Sequence, residues 1–132
     1  MEKMTQDKRD ALLTKYLDNM EADSRINLTY ASKNIEEYPL HASGWIERLV
    51  KATAQLKTIT EIRKVAEDSL YADLESGVDL WLGRIKRKAF YEPYAGEHSG
   101  AMNRAIENVS WQVTLLIASD LDSMIESFQR AG

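Results

Sequence analysis

The sequence predicts an all-α fold, an antiparallel helical bundle of about five helices with two of them long. Three observations carry that prediction. Only two prolines, Pro39 and Pro93, interrupt the 132 residues, and long unbroken blocks lie between them. The middle block repeats apolar residues at spacings of mostly four and three. The last block carries a second stripe of the same kind.

The first helix opens at Thr5, whose hydroxyl suits an N-cap, and sets Leu13, Tyr16, Leu17 and Met20 on one face. The polar stretch 19–24 is expected to turn the chain. A second helix from about Ser24 carries Leu28, Ala31 and Ile35 inward and stops before Pro39. Ile26, Leu28 and Tyr30 also alternate as in a short strand, but no partner strand is visible elsewhere.

In the middle block Trp45, Leu49, Ala52, Leu56, Ile59, Arg63, Ala66, Leu70 and Leu74 form a sustained seam of about 3.5-residue period. A helix over 44–76 would be roughly 50 Å long at 1.5 Å per residue. Thr58-x-x-Glu61 matches a capping box and Thr58, Ile59 and Thr60 are β-branched, so a bend or break is expected near Thr58. Gly77 is the expected C′ residue of this helix. A shorter helix then turns Val78, Trp81, Leu82, Ile85 and Ala89 inward, and residues 92–99 read as a loop. Ser99 caps a last long helix with Met102, Ile106, Val109, Val113, Leu116 and Ile117 on one face. That stripe rotates later towards Leu121, Met124, Ile125 and Phe128.

With 44% hydrophobic and 29% charged residues the composition is globular, and one helical domain is expected over 1–132. Cysteine is absent, which excludes disulfides, zinc–thiolate sites and thiol nucleophiles. The charged opening stretch has no apolar core of a secretory signal. The longest strongly apolar run, 113–118, is too short to cross a bilayer, so a cytoplasmic protein is expected. Two glycosylation-type sequons, at Asn27 and Asn108, then read as chance matches. The net charge is −4, unevenly spread. Residues 81–104 carry five basic groups against Glu92 and Glu97, net +3; the rest carries twelve against nineteen, net −7.

The basic zone supplies the first candidate surface. On a helix that buries Leu82, Ile85 and Ala89, the side chains of Arg84, Arg87, Lys88 and Tyr91 share the outward face. The adjoining loop adds Tyr94 and His98. Guanidinium groups clamp carboxylates and phosphates, and aromatic rings fill partner pockets. The bland alternative is a solvated helix end whose cations offset the helix dipole. Trp111 and Leu115 lie off the main stripe of the last helix and are candidates for self-association, unless that helix is simply buried on two sides. Arg63 and Asp120 are charged misfits within apolar stripes. They are expected either to meet as a register-setting ion pair or to sit at the stripe borders.

Catalytic and metal signatures are missing. His41 and His98 are lone loop histidines, and no His-Glu-x-x-His or Glu-x-x-His spacing occurs. Asp120 and Asp122, two apart on a helix, point to opposite sides. The acidic clusters Glu36-Glu37, Glu67-Asp68 and Glu75…Asp79 lack the spacing of the paired magnesium-binding motifs of helical nucleotide pyrophosphatases. No phosphate-binding glycine loop or nucleophile elbow is present. The expected function is therefore a non-enzymatic protein-binding module of inhibitor, immunity or adaptor type, without cofactor or metal, as a monomer or homodimer. The alternative is a nucleic-acid-binding regulator using Arg84, Arg87, Lys88 and the 91–100 loop; a metal-dependent nucleotide hydrolase ranks third.

Overall fold

A computed structural model describes residues 4–68, 73–91 and 101–131. All but Met4, Thr5, Tyr38 and Asp73 of those residues are helical, with no strand among them. Four helices form: α1 (Gln6–Glu37), α2 (Ala42–Asp68), α3 (Leu74–Tyr91) and α4 (Ala101–Ala131), with a 3₁₀ turn (Pro39–His41) between α1 and α2. Among the described residues no helix is long and apolar enough to cross a membrane.

The all-α class stands, and among the described residues the helices number four rather than about five, because α1 runs through the expected turn at 19–24. α1 is a single helix of 32 residues. Its polar stretch contains no glycine or proline, and Ser24 faces inward, fully buried. The Ser24 hydroxyl lies 2.7 Å from the Met20 carbonyl and 2.8 Å from the Gln55 side-chain amide of α2, so the polar group is satisfied without breaking the helix. The N-terminus is capped as expected, with Thr5 Oγ1 accepting from the Lys8 N–H at 3.2 Å. At the other end Tyr38 leaves the helical region ahead of Pro39, which opens the 3₁₀ turn.

α2 runs unbroken through Thr58, and the expected single helix over 44–76 is divided, because α3 starts at Leu74, after Asp73. Thr58 is buried, and its oxygen lies 3.2 Å from that of Thr114 on α4. Thr114 donates its proton to the Ser110 carbonyl, which leaves Thr58 as the donor of the pair. Gly77 does not terminate α2; it lies within α3, packed against Ala66. With α4 at 31 residues, three helices are long instead of two.

Side-chain contacts fix the directions. Ser24 meets Gln55, and Arg63 reaches back to Asp18 and Glu21, so α1 and α2 are antiparallel. Tyr16 bonds Asp120 while Thr58 meets Thr114, so later residues of α4 lie level with later residues of α2 and those helices are parallel. Asp10 accepts from the Leu74 and Glu75 N–H groups, which starts α3 beside the start of α1. The result is an up-down-up-down bundle with α2 touching every other helix.

The core occupies one end of it. Leu13, Leu17, Ile59, Ile62, Val78, Trp81, Leu82, Ile85, Val113, Ile117, Leu121, Ile125 and Phe128 pack as one cluster. Each large side chain removed from water there contributes about 1.5–3 kcal/mol. Towards the α1–α2 turn the buried seam positions are small, Ser24, Ala31 and Ala52. Ile26, Tyr30, Tyr38, Leu40 and Ile46 are exposed in that half. On α4 the expected inward stripe holds at Val113 and Ile117, but Ile106 and Leu116 are 42% and 67% exposed.

Candidate functional site

The strongest sequence candidate falls on α3, whose position is set from its first turn. Asp73 is the N-cap, its Oδ1 accepting from the Ser76 N–H at 2.7 Å. These bonds to Ser76 hold the Asp73 carboxyl below its ordinary value. Asp10 of α1 takes the next two free donors, with the Leu74 N–H at 3.2 Å and the Glu75 N–H at 3.1 Å. Two carboxylates therefore occupy the helix terminus, and an anion has no donors left to claim there. Beside them Arg9 Nε and Glu75 Oε2 stand 2.9 Å apart, off the hydrogen-bonding direction, so their attraction is ionic. Burial raises the Glu75 carboxyl, and Arg9 offsets part of that rise.

As expected, α3 buries Val78, Trp81, Leu82 and Ile85. On the opposite side Ser76, Asp79, Leu80, Gly83, Arg84 and Arg87 line an open depression of about 450 Å³. Gly83 contributes bare backbone to the lining, and a β-carbon built there meets nothing within 4 Å. Asp79, Arg84 and Arg87 are exposed and have no ion-pair or hydrogen-bond partner among the described residues. The structure thus divides the expected Arg84, Arg87, Lys88, Tyr91 face. Arg84 and Arg87 share the depression, whereas Lys88 places its ammonium 5.4 Å from the Trp111 ring centre on α4, a cation–π contact. Lys86 is likewise tied to α4, with its Nζ 3.0 Å from Asp122. The Tyr91 side chain, Tyr94 and His98 lie outside the described residues.

The remaining candidates are placed as follows. Trp111 is half-buried against the core and held by Lys88, so the chain itself uses its ring face; Leu115 is 37% exposed. Arg63 and Asp120 do not form the expected register pair, since each is attached to α1. Arg63 bridges Asp18 at 2.6 Å and Glu21 at 2.5 Å. Asp120 accepts from the Tyr16 hydroxyl at 2.9 Å. Burial, with Asp120 beside it, pushes the Tyr16 hydroxyl well above its ordinary range, and the Arg63 and Arg25 bonds lower Glu21. A second depression of about 300 Å³, between α1, α2 and the start of α3, includes Arg63, already bound to α1. Among the described residues no three His, Asp or Glu side chains stand close enough to hold a metal ion.

Gly83, Asp79, Ser76 and Leu80 were not marked as site residues by the sequence. The available signal was Gly83 itself, a glycine inside a helix on the side opposite the apolar stripe. Comparison with known families, curated proteins and solved structures gives no match.

Proposed function

We propose that the chain is a non-enzymatic, protein-binding helical module whose docking surface is the outward face of α3. One observation carries this reading: a 450 Å³ depression that combines Leu80, the bare backbone at Gly83 and two guanidinium groups with no partner among the described residues. An apolar contact beside planar, carboxylate-matching donors is the composition of a protein-binding patch. Asp79 in the same depression and the net charge of −4 favour a protein over a nucleic acid, because both repel phosphates.

The test uses the immobilised chain and its Arg84→Glu/Arg87→Glu variant. The expected result is stoichiometric retention of a protein, another copy of the chain included, that the variant loses while keeping its helical circular dichroism. Retention indifferent to both substitutions overturns α3 as the surface. Salt-sensitive retention of labelled oligonucleotides in place of protein overturns the protein reading.

A further inference from the structure

We infer that the partner of the α3 face is a second copy of the chain, packed as a twofold-symmetric antiparallel pair of α3 helices that cross at Gly83. The inference rests on the reading of α3 as the docking surface and names what docks there.

The two helical glycines of α3 have opposite surroundings. A β-carbon on Gly77 would stand 2.6 Å from the Ala66 Cα, so the close approach of α2 accounts for that glycine. Nothing in the described chain approaches Gly83. A glycine inside a helix is less favourable than an alanine there, because it has more backbone freedom to lose on folding. At Gly83 no contact within the described chain offsets that loss, and a bare helical surface is what allows another helix to approach closely.

Charge order around Gly83 identifies the occupant. Asp79 lies four residues before it and Arg87 four residues after it, each about 6 Å along the helix at 1.5 Å per residue. In a twofold pair centred on position 83 each residue meets the level of its mirror position. Asp79 of one copy then lies level with Arg87 of the other, and the reverse holds on the opposite side of the axis. Two ion pairs form from groups that have no partner among the described residues. Leu80 adds apolar contact beside the axis, and Arg84 sits at the solvent rim. A heterologous acidic helix would be matched by Arg84 and Arg87 but would meet Asp79 as a like charge; a second copy pairs Asp79 with Arg87 and leaves Arg84 in solvent. One helix-on-helix contact is small for an interface, so the expected dissociation constant is weak, about 10–100 µM.

Sedimentation equilibrium over about 5–500 µM brackets that range. Wild type is expected to dimerise. Asp79→Arg and Arg87→Asp each place like charges together and should weaken the dimer at least about tenfold. The charge-reversed double variant Asp79→Arg/Arg87→Asp restores opposite charges and should recover wild-type affinity within about threefold. Gly83→Lys, a change that favours the helix of the monomer, should abolish dimerisation while raising the melting temperature of dilute protein. A wild-type monomer throughout the range overturns the inference, as does a dimer indifferent to the single reversals or a double variant that fails to recover. A monomer that still retains a different protein through Arg84 and Arg87 overturns self-pairing and leaves the docking surface standing. A chain that neither pairs nor retains any protein there overturns both.

Discussion

A β-carbon built on Gly77 would stand 2.6 Å from the Cα of Ala66, so α2 and α3 meet nearly backbone to backbone at this point. Gly77→Ala must push the helices apart and is expected to destabilise the fold by about 1–3 kcal/mol. Gly83→Ala, on the open side of the same helix, should instead stabilise dilute protein by about 0.5–1 kcal/mol. Urea unfolding of the two variants measures both, and equal effects would contradict the packing difference.

Arg63 and Asp120 are attached to different partners, so their removal should be independent. The cost of Arg63→Met/Asp120→Ala is expected to equal the sum of the single costs within about 0.5 kcal/mol. A clear coupling energy in this cycle would show that they communicate as a pair after all.

Tyr16 responds at the alkaline end. Its hydroxyl is raised above the ordinary value of 10.0 in the folded chain, first by burial and then by Asp120. The folded state therefore holds that proton more tightly than the unfolded state does. The resulting stability is complete below pH 10 and declines as pH rises beyond it. Tyr16→Phe should flatten the alkaline fall of the urea midpoint. An unchanged slope would count against the environment assigned to this group.

Asp73 responds at the acid end. Its carboxyl is lowered from 3.8 by the bonds to Ser76, so its contribution is present above that value and fades as pH falls. Asp73→Ala should cost about 1 kcal/mol at neutral pH, as loss of an N-cap does. The difference from wild type should shrink through pH 4 to 2, read by urea unfolding at each pH.

The apolar periodicity made much of the fold legible. Val78, Trp81, Leu82 and Ile85 are inward as their spacing requires, and Thr5 caps α1. The misreadings share one physical cause, which is that the partner of a polar or small residue is not written beside it. Ser24 resembles a helix start until Gln55 appears across the seam, and Thr58 resembles a cap until Thr114 meets it. Gly77 resembles a terminator, although its role depends on how closely α2 passes. Arg63 is recognisable as a misfit, but Asp18 and Glu21 become its partners only once the α1–α2 register is set. For the site, the cationic residues were visible and the shape was not. Lys88 has the spacing of an outward residue, yet Trp111 draws it to α4.

The small residues along the upper α1–α2 seam distribute protection unevenly along the molecule. Ala31 and Ala52 bring the helices together while removing few methylene groups from water, whereas Leu13, Leu17, Ile59 and Ile62 at the other end are sealed by all four helices. The bundle should therefore open like a zipper from the hairpin turn, through partial unfolding that leaves the opposite end intact. In native-state hydrogen exchange, amides at 28–37 and 44–52 should exchange through such openings well below the global unfolding free energy. Those at 12–18 and 58–64 should wait for the whole chain to unfold.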